Sequence, residues 1–107
     1  ATNVATVVVT RRPRLVITEV MSAQSTNGPF TGHNDWWELT NWDDFTVDLK
    51  GYRFDDSSAT LGAAVTFTNE VSIAPGESVV FVESMSLNRF RRWWGQFLGT
   101  NVQIVPF

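Results

Sequence analysis

The chain contains no cysteine. That excludes disulfides, thiolate catalysis, cysteine-ligated zinc and iron–sulfur clusters. Histidine is almost missing as well, with His33 the single one. A Ser-His-Asp arrangement would have to use it, yet it lies in a Gly- and Pro-rich loop and no G-x-S-x-G elbow occurs anywhere. A zinc site would need it together with carboxylates alone, an unusual ligand set. Its surroundings favour a plain solvent-exposed loop histidine. Phosphate-cradling glycine patterns are absent. No apolar run approaches the ~20 residues of a membrane span, and no signal peptide is visible. Internal repeats and low-complexity tracts are absent too.

What is present is aromatic and β-branched. The 107 residues are 43% hydrophobic, with five Trp, eight Phe and one Tyr. That suffices for one domain with one core and argues against a disordered tail. The first residue is Ala1 rather than Met, as in a processed product or an excised fragment. The net charge of −3 is too acidic to favour general nucleic-acid binding. Charge is unevenly placed: seven of eleven acids lie between Asp35 and Asp56, and six of eight basic residues form the clusters Arg11-Arg12-Arg14 and Arg89-Arg91-Arg92. Such clusters are either solvated faces or surfaces that meet, within one chain or between copies.

Strand signals recur along the chain. VATVVVT (4–10) is β-branched, and Pro13 interrupts any ladder after it. RLVITEVM (14–21) reads as a second strand, followed by a long loop over 22–35. In WWELT (36–40), alternation puts Trp37 and Leu39 on one face and Trp36, Glu38 and Thr40 on the other. One tryptophan is therefore expected in the core, and if it is Trp36, Glu38 also points inward and needs a hydrogen bond. Further strands are expected within 46–56 with a break at Lys50-Gly51, at 65–67, at 78–82 after the Pro75-Gly76 turn, and at 102–105 before Pro106. One helix is expected near residues 86–94, capped by Ser84 or Ser86 and stopped by Gly95, with Leu87, Phe90 and Trp94 on its apolar face. Short strands separated by turns give an all-β fold, an antiparallel β-sandwich.

The order of several motifs is informative. Ile17, Glu19 and Val20 are followed by Asp35, Trp36, Glu38, Leu39 and Asn41, then by Asp48, Leu49, Gly51, Tyr52 and Asp55. Ile73-Ala74-Pro75-Gly76 and finally Phe90, Trp93 and Gly95 complete the series. In this order they resemble the lamin-tail domain family in its bacterial exported form. The resemblance implies an immunoglobulin-like sandwich over 14–107, after an N-terminal extension over 1–13. It also implies a non-enzymatic interaction or structural module, extracellular or at the cell surface, whose partners are proteins or copies of itself. Members of that type continue into a C-terminal hairpin that this chain lacks. The vacancy has three possible fillings: residues outside this chain, the N-terminal segment of the same domain, or that of a neighbouring copy. Val4, Thr6, Val7, Val8 and Val9 are the strand-donor candidates for the latter two.

Candidate chemistry is thin. Glu19, Glu38 and the Asp55-Asp56 pair are carboxylates without an accompanying nucleophile or base motif, so no catalytic residue is assigned. Asp43, Asp44, Asp55 and Asp56 are weak calcium candidates, lacking a D-x-D-x-D-G loop; no metal or cofactor is expected. Arg89, Arg91, Arg92 and Trp93 combine charge with aromatics, the pattern that stacks sugars or bases. Their helical spacing fits solvated arginines beside a core-facing stripe better.

Overall fold

A computed structural model describes residues 3–7, 11–22, 35–55, 60, 62–68, 70–99 and 102–107. Expectations about His33, Asp56, Val8, Val9 and most of the 22–35 loop lie outside the described residues. In chain order the elements are β1 (Leu15–Met21), β2 (Trp36–Asn41), β3 (Val47–Asp48), β4 (Arg53–Phe54), β5 (Val65–Thr66), β6 (Ser72–Ile73), β7 (Ser78–Val82), α1 (Leu87–Trp94), a 3-10 turn (Gly95–Phe97) and β8 (Gln103–Pro106).

The main sheet has the order β1-β2-β7-β8. β1, β2 and β7 pair antiparallel, as the alternating patterns predict. β8 departs from the expected arrangement and runs parallel to β7. Parallel neighbours need a long crossover, and α1 with its following turn supplies it. Pro106 does not end β8 but forms its last residue opposite Val82, a position an edge strand tolerates. β6 has no counterpart in the sequence reading, because two residues beside a Pro-Gly turn carry no periodicity.

The two small ladders β3–β6 and β4–β5 form a second layer. Between them Leu49 N–H donates to Val71 O and Gly51 N–H to Phe67 O. The chain reverses at Gly51 (φ 85°) and Gly76 (φ 75°), both in the left-handed region open to glycine. Trp37, Leu39, Val79 and Phe81 of the main sheet pack there with Val47, Leu49, Val71 and Ile73. Phe81 and Phe54 sandwich the Trp37 ring at 4.4 and 4.8 Å. The architecture is that of an immunoglobulin-like all-β sandwich with one short helix.

The opposite face of the same sheet is also covered. Trp36, Val80, Val82 and Ile104 pack against Met85 and Phe90, with Trp93 and Trp94 at the margin. Both tryptophans of the doublet are thus core residues, at 6% and 8% exposure, where alternation alone led to one. The helix layer explains the difference.

Helix α1 starts as expected, but of the two candidate caps it uses Ser86, whose Oγ accepts from Arg89 N–H at 3.3 Å. Gly95 does not stop the chain in a left-handed cap. It keeps right-handed angles (φ −54°, ψ −34°) and the chain tightens into the 3-10 turn. Phe90 faces the core, whereas Leu87, expected on the same stripe, is exposed. It lies in the first turn, ahead of the sheet face that Phe90 covers.

Residues 3–7 form no strand, against the expectation for 4–10. Val4 and Val7 are 85% and 81% exposed. A lone extended segment gains nothing until its N–H and C=O groups meet a ladder, and none of the described strands pairs with it.

Candidate functional site

The turn after β2 is an anchor. Asn41 is fully buried and every side-chain polar atom is used: Nδ2 donates to Phe45 O (2.8 Å) and Ile73 O (2.9 Å), and Oδ1 accepts from Asp43 N–H (2.9 Å). Asp43 accepts from the Arg14 and Asp44 backbone N–H groups, each at 3.0 Å, and from the Arg11 guanidinium. Burial raises the Asp43 pKa, but those N–H donors and the Arg11 and Arg14 charges outweigh it and hold the carboxyl below its ordinary value. One basic cluster therefore meets the acidic one within the chain. Arg11 also reaches Asp44 at 3.1 Å and lies over the Phe45 ring.

These contacts bear on the calcium candidates. Both Asp43 oxygens are committed to donors, Asp44 holds Arg11, and Asp55 accepts from Thr60 N–H. Among the described residues no three His, Cys, Asp or Glu side chains converge on a metal position.

The arginine–tryptophan group is placed along α1. Arg89 and Arg92 are exposed, and Arg91 donates to Val102 O at 2.9 Å. Arg91 and Arg92 lie in the last helical turn, where cations complement the helix dipole. Trp93 is half-buried, its ring edge-on to Phe90 at 6.4 Å and beside Trp94 at 5.2 Å.

The largest feature absent from the sequence reading is a groove over the second-layer side of β1. Two adjoining clefts of about 300 and 350 Å³ share Ile17, Trp37, Phe54 and Asp55. Trp37 and Leu39 lie beneath, and Ile17 and Val20 are 56% and 61% exposed along one side. A β-bulge creates this line-up. Pairing skips from Ile17↔Leu39 to Glu19↔Glu38, leaving Thr18 extra. Ile17 and Val20, three residues apart, thereby share a face that strict alternation would deny them. The three-residue offset between Ile17 and Val20 in LVITEV was the available signal. β1 has β2 as its single neighbour among the described strands, so its outer N–H and C=O groups form an open edge.

On the other face the bulge puts Thr18 and Glu19 together against Glu38. Thr18 Oγ1 donates to Glu38 at 2.5 Å and lies 2.9 Å from Thr40 Oγ1, which is 2.7 Å from Ser78 Oγ. The inward-turned Glu38 thus has the hydrogen bond its position requires.

The comparisons fit this construction. Searches of curated proteins and of solved structures give no match. A family model described as Lamin Tail Domain matches residues 9–104, and the chain belongs to that family.

Proposed function

We propose that the chain is a non-enzymatic interaction module of an exported or cell-surface protein, and that it engages an extended protein segment along β1. One observation carries this reading: an open strand edge lies beside an apolar groove, with Ile17 and Val20 exposed along it. A segment added there satisfies the unpaired backbone of β1 and covers Ile17 and Val20 with alternate side chains. Family membership supports an interaction role, and the resemblance to bacterial exported members supports the setting. The hydroxyl that meets Glu38, on Thr18, is tied into a structural row with Thr40, which suits a module without catalysis.

A second reading makes the segment the N-terminus of another copy, so that the chain self-assembles. Its support is the exposure of Val4 and Val7, β-branched residues with no ladder of their own. A head-to-tail contact of this kind need not close and can extend into a fibre or lattice. Size-exclusion chromatography of the full chain and of a variant lacking residues 1–10 tests both readings. Self-assembly predicts oligomers that become monomers on deletion, and a peptide of residues 1–12 that raises the melting temperature of the shortened chain. A monomer of unchanged stability before and after deletion ends the self-assembly reading. Failure of an unbiased library of extended peptides to bind, with competition by none at β1, ends the first.

A further inference from the structure

The helix side of the main sheet holds a separate cleft of about 350 Å³, walled by Glu19, Glu38, Trp36, Phe90, Trp94 and Phe97. The two carboxylates are cross-strand partners. Like charges directly opposite one another destabilise a sheet, yet among the described residues no basic side chain lines the cleft. With Glu38 a carboxylate, the hydroxyl row has one direction: Ser78 donates to Thr40, Thr40 to Thr18, and Thr18 to Glu38. That row occupies one Glu38 oxygen. Among the described residues the Glu19 side chain has no hydrogen bond or ion pair. Arg91 is held by the carbonyl of Val102 at the rim.

The remaining wall is apolar, and its aromatic rings are set at steep angles. Trp36 and Trp94 meet at 73° with centroids 5.5 Å apart, and Trp94 and Phe97 at 60° and 6.1 Å. Trp36 is more than nine-tenths buried and forms the floor of this aromatic wall. Phe97 stands 71% exposed at the mouth. Carboxylates beside ring faces suit a cation on an apolar stem, because the charge gains from both while the stem covers apolar wall. A hydrated divalent ion suits this site poorly, since two carboxylates and aromatic walls offer few of the oxygens it requires.

We propose that this cleft binds a basic side chain, lysine or arginine, presented by a partner protein, with its charge at Glu19 and Glu38 and its stem along Trp36, Trp94 and Phe97. The proposal specifies a ligand for the interaction role, but it sits on the opposite face from the groove, so either site can fail alone.

The probes are n-butylguanidinium and n-butylammonium, titrated into the full chain with 1-butanol and butyrate as neutral and anionic controls. Tryptophan fluorescence and backbone amide NMR shifts are the readouts. The expected result is saturable binding of at least one cation with half-saturation of about 1–10 mM, the range of a few weak contacts. The amide shifts should centre on residues 19, 38 and 97–99, with no response to the controls. Glu19→Gln and Phe97→Ala alter exposed side chains and leave the fold intact, and each should weaken binding about fivefold. Absence of saturation for both cations, an equal response to 1-butanol, or undiminished binding in both variants overturns the proposal. Loss of the peptide response at β1 with retained cation binding would reject the groove alone.

Discussion

Asn41 shows how one side chain can define a corner. Its amide links the end of β2 to β6 and to the turn at Phe45, while its backbone groups pair with Glu77 O and Gly76 N–H. Asn41→Ala strips three side-chain hydrogen bonds and leaves their buried partners unsatisfied. A loss of about 2–4 kcal/mol in urea unfolding is expected; Asn41→Asp should be nearly as damaging, because a carboxylate cannot donate to the two carbonyls. Asp43 beside it makes stability depend on pH. Its folded-state pKa is depressed, so the stabilisation is complete above the unfolded-state value and is lost as pH falls through the folded one. Asp43→Asn should lower the melting temperature at pH 7 and flatten its decline below pH 4, read from melting curves of both proteins across that range. Asn41 belongs to the motif run visible in the sequence and Asp43 was read there as a calcium candidate, but spacing alone did not reveal what they bond. Their partners, Ile73 and Arg14, are distant in sequence.

At the scale of elements, the strands that alternate were legible and those that do not were missed or misjudged. β2 and β7 carry clear apolar patterns and long ladders. β6, two residues long, owes its existence to β3 and the turn at Pro75-Gly76 rather than to its own composition. Val4–Val7 has strand composition and no partner, so it stays outside the sheets. The bulge at Thr18 was legible only as a break in alternation, and both candidate sites follow from it: it brings Val20 to the groove and Glu19 to Glu38. Helix α1 was legible from its cap and stripe, whereas its role as a crossover to a parallel β8 needed the fold. That role gives a prediction. Phe90 is 1% exposed and packs edge-on to Trp36 at 5.9 Å. Phe90→Ala should cost about 3–5 kcal/mol, and amide exchange should accelerate first over 102–106, because β8 is held by one ladder and by the helix. Equal acceleration in β2 would mean that the helix and sheet unfold as one unit.

For the whole molecule the decisive fact is an imbalance between layers. Among the described residues the main sheet has four strands, while the second layer consists of two-residue ladders, none of which pairs with β1. The Cα radius of gyration is 17.5 Å, against about 13 Å for a compact chain of about 100 residues, so part of the chain lies outside the two packed clusters. Exposed apolar edges are aggregation hazards unless something occupies or blocks them. A charge placed on the edge therefore separates docking from stability. Val20 is already 61% exposed, so Val20→Lys should change unfolding free energy by no more than about 0.5 kcal/mol. The ammonium would nevertheless sit in the path of any added strand, with Trp37 beneath it, and would have to be desolvated for the strand to close. Association with an extended segment, or with another copy, should fall at least tenfold by sedimentation or titration, with the melting temperature nearly unchanged. The control is Leu87→Lys, at 41% exposure on α1, on the helix side of the main sheet. If both lysines reduce association equally, net charge rather than the β1 edge controls it; if only Val20→Lys acts, the partner lies along β1.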